Sequence, residues 1–186
     1  MDVLPKLFKM VKEKVPQARL KWAYGWDNFV QWHANDKKMM EWKEKISREM
    51  SEAGIEDCGR LQQKECAKLY LEGRIMAYPS NFYEIDCISI KKAQAVSCLP
   101  VTTDFAAMNE SNISGIKIHT KTSLKDWAKP YQIGFGMQDE EEQKKWANAV
   151  VKELKKPFVR DIYHEAMFPS KFSWVKIASD WTNLFI

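Results

Sequence analysis

The sequence lacks the cysteine patterns of metal sites and of disulfide frameworks. Its four cysteines are Cys58, Cys66, Cys87 and Cys98, and they form no Cys-x-x-Cys pair. No histidine stands at ligand spacing from them, and no signal-peptide pattern precedes them. We therefore expect reduced thiols and no zinc site.

Long apolar runs and blocks of a single charge are also absent. The longest apolar run falls far short of the roughly 20 residues that cross a bilayer, so no transmembrane segment is expected. The 29 Lys and Arg residues are interspersed with 25 Asp and Glu residues, for a net charge of +4, and a nucleic-acid partner is not indicated. With 45% hydrophobic residues, seven glycines and seven prolines, the chain is typical of one cytoplasmic globular domain over residues 1–186.

The apolar residues alternate between helical and strand spacing along most of the chain. The pattern predicts strands at residues 18–24, 55–61, 73–78, 99–103 and 115–119. It predicts helices at 3–15, from Asp36 to Gly54, and at 62–71, 88–97 and 105–109. This alternation is typical of an α/β fold, a Rossmann-like parallel sheet flanked by helices on both faces.

The last part of the sequence, residues 138–186, is predicted to be a C-terminal helical extension. A charged helix is expected at 139–156, Pro157 is expected to open another helix, and a final helix is expected at 172–185. Ligands of parallel α/β sheets bind beyond the carboxyl ends of the strands. The loops after Tyr24, Arg60, Tyr78 and Thr103 are therefore the expected ligand-binding loops.

Residues 73–110 carry a specific pattern around the strand that ends in Tyr78-Pro79. A loop then delivers Glu84, and a helix leads into Ala93-Gln94-Ala95-Val96-Ser97-Cys98-Leu99-Pro100-Val101. This segment resembles the donor-site segment of family 4 glycosyltransferases with the B fold. Gly59-Arg60-Leu61 and the segment from Pro16 to Trp26 occupy matching places, so the resemblance covers most of residues 1–120.

The resemblance implies the C-terminal half of a B fold, which binds a nucleotide-sugar donor for retaining transfer of a sugar to an acceptor. Glu84 would orient the donor sugar as the catalytic residue, and the helix that starts near Cys87 would receive the diphosphate. No cofactor or obligatory metal is implied, and the absence of an Asp-x-Asp motif agrees. The implied donor-binding residues are Gly59, Arg60, Leu61, Ser80, Asn81, Phe82, Ile85, Cys87, Ile88 and Lys92.

Two departures from the family pattern concern the nucleotide. The family's second Glu, which accepts hydrogen bonds from the ribose, falls at Lys92, and a lysine has donors only. Lys92 either contacts a phosphate or is a solvated helix lysine. The family's first strand of this domain, with the loop that helps supply an Arg and a Lys for the diphosphate, would precede residue 1.

Other functions and partners stay open from the sequence. The chain is alternatively a truncated or non-catalytic nucleotide-sugar-binding module that needs a separate acceptor-binding domain. A flavodoxin-like or receiver-like regulatory domain shares the alternation but would need an acidic cluster after the strands. The tail is rich in apolar residues, which are Phe172, Trp174, Val175, Ile177, Trp181, Leu184 and Phe185. Either all of them pack on this domain's own sheet, or part of them would be covered by a missing N-terminal domain or by self-association through the tail or an open sheet edge.

Overall fold

A computed structural model describes residues 2–123, 137–160 and 173–185. The first half contains α1 (Leu4–Lys14), β1 (Leu20–Trp22), α2 (Asp27–His33), α3 (Lys37–Glu52), β2 (Ile55–Asp57) and α4 (Gln63–Glu72). The second half contains β3 (Ile75–Tyr78), α5 (Ile88–Ala95), β4 (Leu99–Thr103), α6 (Met108–Ser111), β5 (Ile116–Ile118), α7 (Glu140–Lys155) and α8 (Trp174–Phe185).

Local sequence signals account for the points at which α3, α4 and α7 begin. The side chain of Asp36 accepts a hydrogen bond from the backbone N–H of Met39 and so caps α3. Asp139 does the same for α7 by accepting from the N–H groups of Glu141 and Glu142. Gln62 and Glu65 form a reciprocal capping box at the start of α4.

The strands are all parallel, as predicted, but they form two sheets instead of the single sheet expected. Strand β1 pairs with β2, and β4 lies between β3 and β5. Among the described residues β1 and β3 share no ladder, so the single-sheet prediction is wrong for this part of the chain. The α/β class with short parallel strands flanked by helices is confirmed, and it is compatible with a Rossmann-like fold.

Two apolar clusters cover the opposite faces of β3. Ile75 and Ala77 pack against the larger cluster, which contains the buried faces of α1 and α7. Met76 and Tyr78 pack against the smaller one, which is made of Cys87, Ile90, Phe105 and Met108. The indole N–H of Trp146 on α7 donates to the carbonyl oxygen of Val101 on β4 at 3.1 Å and ties the extension to the sheet.

Several elements differ from the prediction. Helix α2 forms where no helix was predicted, and none of its side chains is fully buried. Strand β2 ends at Asp57 because Gly59, at φ +63°, turns the chain in the left-handed region. Strands β1, β3 and β5 are shorter than predicted, and α6 begins at Met108 instead of at residue 105.

The predicted helix opening at Pro157 is wrong for the residues described. Residues 157–160 are not helical, and residues 161–172 lie outside the described part of the chain, as does predicted residue Phe172. The guanidinium of Arg74 donates to the carbonyl oxygens of Glu153, Leu154 and Lys156. These bonds satisfy carbonyl oxygens at the end of α7. The helix ends at Lys155 because Lys156 is extended before Pro157, and the residue before a proline is disfavoured in the helical region.

Within the described ranges, no helix is both long and apolar enough to cross a membrane.

We expect Gly25→Ala to destabilise the protein more than Gly59→Ala. Both glycines have positive φ values, +72° and +63°, so either alanine incurs backbone strain of about 1 kcal/mol. A Cβ at Gly25 would also lie 2.8 Å from the backbone nitrogen of Arg60, whereas a Cβ at Gly59 would meet nothing within 4 Å. Urea denaturation should show an additional loss of about 1–3 kcal/mol for Gly25→Ala. Equal losses would contradict the close packing of the two loops.

Candidate functional site

The carboxyl ends of β1 and β2 bring the first two candidate loops into contact. The carboxylate of Asp57 accepts a hydrogen bond of 2.8 Å from the N–H of Gly59 and shapes the turn after β2. Arg60 then packs against Gly25, in the turn after β1. Its guanidinium donates to the side-chain oxygen of Asn28 at 3.2 Å. The partner of the Arg60 guanidinium in this contact is therefore a neutral amide.

Glu84 lies in the loop after β3 and is oriented by the last residue of that strand. The hydroxyl of Tyr78 donates to Oε1 of Glu84 at 2.8 Å. Burial, the negative charge of Glu84 and this hydrogen bond together raise the pKa of Tyr78 well above its usual range, so the phenol stays a neutral donor. The second carboxylate oxygen of this half-buried Glu84 can still accept hydrogen bonds from a ligand.

Helix α5 begins directly after Cys87, as predicted, and Cys87 itself is buried. Burial raises the pKa of the Cys87 thiol, which favours the neutral thiol. The N–H groups of Ile90 and Lys91 bond the carbonyl oxygen of Cys87. Cys87 therefore positions the first turn of α5 through its carbonyl oxygen.

Sequence reasoning missed a charged pair beside this helix start. The ammonium of Lys91 lies 2.6 Å from Oδ1 of Asp86, which also accepts from the hydroxyl of Ser111 at 3.2 Å. Asp86 is an acid immediately before the helix, where the helix dipole favours negative charge. No sequence motif distinguished Asp86 from a surface carboxylate.

Lys92 lies on α5 beside the start of α4. Its ammonium donates to the side-chain oxygen of Gln63 at 2.9 Å. Since Gln63 follows Leu61 by two positions, this contact places Lys92 close to the loop of Gly59, Arg60 and Leu61. Two cations, Arg60 and Lys92, are thus bonded to amide oxygens at this end of the domain.

Ser80 and Asn81 serve the loop after β3 in the structure. The hydroxyl of Ser80 accepts from the N–H of Phe82 at 3.1 Å, and its carbonyl oxygen accepts from the Thr103 hydroxyl at 2.6 Å. Asn81 is only 4% exposed and donates to the hydroxyls of Thr120 and Thr122 at 3.2 and 2.7 Å. Its Oδ1 has no hydrogen-bond partner among the described residues.

A buried carboxylate supports the same loop from α7, and sequence reasoning missed it too. Glu142 is 4% exposed and accepts hydrogen bonds from the Thr120 hydroxyl at 3.1 Å and from the N–H of Lys121 at 2.6 Å. It joins α7 to Asn81 through Thr120. Glu142 reads as a first-turn acid of a charged helix, so its sequence context gave no sign of this role.

The remaining predicted donor-binding residues form an exposed apolar rim. Phe82 and Ile88 are exposed, and Ile85 is the most exposed of them at 92%. Tyr83 beside them is exposed and lies edge-on to Phe105, with 6.2 Å between the ring centroids. Exposed apolar residues around a polar site are typical of surfaces that contact ligands or partners.

A cavity of about 230 Å³ lies away from this cluster, at the amino ends of β3 and β4. It is lined by Arg74, Leu99 and the end of α7. The guanidinium of Arg74 donates hydrogen bonds there to carbonyl oxygens at the end of α7. We therefore assign this cavity to the packing of the extension and place the candidate site at the carboxyl ends of the strands.

In the parts of the chain that the structure describes, no three His, Cys, Asp or Glu side chains cluster as metal ligands would. The expectations of no metal and no cofactor stay predictions. No protein-family model matches the chain, and no curated protein matches it with significant similarity.

Proposed function

We propose that this chain binds a nucleotide sugar at the carboxyl ends of its strands, as the donor-binding domain of a glycosyltransferase. The observation that carries the proposal is the pairing of Tyr78 with Glu84 beside the start of α5. It presents a fixed carboxylate and a helix start side by side. The resemblance of residues 73–110 to family 4 glycosyltransferases supports the same assignment.

The chemistry follows from these two features. A carboxylate accepts hydrogen bonds from sugar hydroxyls, and such charge-assisted bonds contribute about 1.5–3 kcal/mol each. The backbone N–H groups and the dipole of α5 favour a diphosphate next to it. Stabilising charge on the leaving diphosphate would be the main catalytic effect. The resemblance implies retention of configuration and no obligatory metal.

The charges around the site support a phosphate-bearing ligand. Arg60 and Lys92 contact amide oxygens of Asn28 and Gln63, which are neutral partners. The positive charges of these two side chains would stabilise an anionic ligand that binds near both of them. The resemblance identifies no counterpart of the family's two cationic clamps among residues 1–186, so we expect this chain to bind a nucleoside diphosphate weakly.

Amide chemical shifts measured during titration with a nucleoside diphosphate test the location. We expect the largest changes at Arg60, Glu84 and the first turn of α5. The amides of Arg74 and Leu99, at the amino ends of the strands, serve as the internal control and should not move. Changes centred on the control amides would overturn the assignment of the site.

Lys92→Glu tests whether the ribose contact of the family was lost at this position. A carboxylate there can accept hydrogen bonds from ribose hydroxyls, so we expect tighter binding of the unphosphorylated nucleoside. Binding of the nucleoside diphosphate should tighten less, because the substitution also removes a positive charge near the phosphates. Calorimetry on Lys92→Glu and on the charge-removing control Lys92→Gln compares the two effects. Unchanged nucleoside binding in Lys92→Glu would contradict this assignment.

The exposed face of α8 supports the proposal of an acceptor-binding partner. Trp174, Val175, Trp181 and Leu184 are 83%, 82%, 63% and 79% exposed. Apolar side chains that are this exposed on one helix mark a contact surface. Sedimentation at increasing protein concentration tests self-association as the alternative. A monomer at all concentrations favours a separate domain, whereas a concentration-dependent dimer favours contact between two copies.

A further inference from the structure

Helix α2 follows the turn at the carboxyl end of β1 and carries two different sets of side chains. Phe29 packs toward α3, with 5.5 Å between its ring centroid and that of Trp42. Asn28 and Trp32 are four residues apart, so they lie one turn above each other on the same side of the helix. The packing of Phe29 fixes α2, and Asn28 and Trp32 share a side that Phe29 does not occupy.

Trp32 differs from the other tryptophans of this region in its exposure to solvent. Trp22, Trp26 and Trp42 pack on one another, with 5.2 Å between the first two ring centroids and 6.1 Å between the last two. The side chain of Trp32 is 72% exposed. An indole in this position has a face available to a flat ring of a ligand, and stacking of a nucleobase on an aromatic side chain is a common form of recognition.

The contact between Arg60 and Asn28 places two hydrogen-bond donors beside Trp32. A guanidinium has donors only, so it is the side-chain oxygen of Asn28 that faces Arg60, at 3.2 Å. The NH2 group of Asn28 is then the part of the amide that a ligand can use. Arg60 has further N–H groups as well. A ligand edge that binds both side chains must therefore carry acceptor oxygens.

Observed contacts connect this surface to the proposed donor site. Lys92, one turn from the first residue of α5, bonds Gln63 at the start of α4. Arg60 lies three residues before Gln63 and bonds Asn28 on α2. The loop before α4 thus contacts α5 on one side and α2 on the other. A nucleotide whose diphosphate lies at the start of α5 can extend its base along this loop toward α2.

We propose that Trp32, Asn28 and Arg60 bind the nucleobase of the donor and select a keto base, uracil or guanine, over cytosine and adenine. The base stacks on the indole of Trp32, and its carbonyl oxygen accepts from Asn28 and Arg60. Cytosine and adenine have an amino group in place of that oxygen, which would leave the two donors unpaired. This inference rests on the proposed function, because it specifies the nucleotide of the same donor.

Calorimetry with two matched pairs of nucleoside diphosphates tests the selection. Uridine and cytidine diphosphate form one pair, and inosine and adenosine diphosphate form the other. Each pair keeps the ring size and the diphosphate and exchanges a keto for an amino group. We expect the keto member to bind at least about fivefold more tightly. Equal binding within both pairs would overturn the proposal.

Asn28→Asp tests the role of the amide donor. Aspartate keeps an acceptor for Arg60 and removes the NH2 group, so the contact between the loop and α2 is retained. The added negative charge weakens the binding of every diphosphate, and the ratio within each pair is therefore the quantity to compare. We expect this ratio to fall to about twofold or less. An unchanged ratio would contradict the assignment of the base edge to Asn28.

Trp32→Ala tests the stacking surface. It should weaken binding of all four nucleoside diphosphates by about 5- to 100-fold, the effect of losing one stacked base. Binding of inorganic pyrophosphate, which has no base, should not change. Trp32→Phe keeps an aromatic ring and should retain most of the affinity. Trp174→Ala, at a tryptophan of α8 that is also exposed, is the control and should bind like the unmodified chain.

The outcomes separate this inference from the proposed function. Unchanged nucleotide binding in Trp32→Ala, or an equal loss for pyrophosphate, would overturn the base site and leave the assignment of Glu84 to the sugar intact. A loss in Trp32→Ala together with no effect of Glu84→Gln on the nucleotide sugar would support the base site and overturn the sugar assignment. A folded chain that binds none of the four nucleoside diphosphates would overturn both.

Discussion

Glu84→Gln should weaken binding of a nucleotide sugar about 10- to 100-fold and leave binding of the matching nucleoside diphosphate within about twofold. The range corresponds to the loss of one charge-assisted hydrogen bond to a sugar hydroxyl. Glutamine keeps the size of the side chain, and its oxygen can still accept from the Tyr78 hydroxyl. The loop after β3 should therefore keep its conformation.

Two measurements separate recognition of the sugar from damage to the fold. Glu44→Gln changes an exposed carboxylate on α3 and should bind both ligands like the unmodified chain. The midpoint temperature of thermal unfolding of Glu84→Gln should lie close to that of the unmodified chain. Equal losses for the nucleotide sugar and the nucleoside diphosphate would mean that Glu84 serves the nucleotide or the fold.

Gln94→Met should lower the free energy of unfolding by about 3–5 kcal/mol, because several backbone groups would lose their partners together. Gln94 has no exposed surface, and its Nε2 donates to the carbonyl oxygens of Ile90 and Ser111. Its Oε1 accepts from the N–H groups of Ile113 and Ser114 at 2.8 and 2.9 Å. Methionine has a similar length and no donor or strong acceptor, so the effect isolates hydrogen bonding from volume.

Denaturant unfolding measures this loss, with Gln17→Met as the control at an exposed glutamine. The control should change stability by no more than about 0.5 kcal/mol. Domains of this size have roughly 5–15 kcal/mol of stability in total, so the loss at Gln94 is a large share. A change below about 1 kcal/mol would show that the loop before β5 finds other hydrogen-bond partners.

Much of the element order could be predicted from periodicity and caps. The apolar stripe of α3, the cap at Asp36 and the strand pattern of residues 99–103 are local signals, and they place α3 and β4 correctly. Helix α2 could not be found in this way because it buries no residue completely. The division into two sheets depends on which strands become neighbours, and periodicity carries no information about strand order.

The candidate site could be predicted only in part for a similar reason. Glu84 and the start of α5 were singled out because their sequence context resembles a known donor site, and their role in binding stays a prediction. The orienting role of Tyr78 depends on a side-chain contact across a loop. Asp86 and Glu142 were missed because their partners, Ser111 and Thr120, are distant in sequence.

Calorimetric titration of the chain with a panel of nucleoside diphosphates and their nucleotide sugars tests the central claim most directly. The account predicts that at least one nucleotide sugar binds at one site per chain, and more tightly than its own nucleoside diphosphate. The difference is expected because Glu84 adds bonds to the sugar. A folded chain that binds no member of the panel, or that binds every nucleoside diphosphate as tightly as the corresponding sugar, would contradict the proposed function.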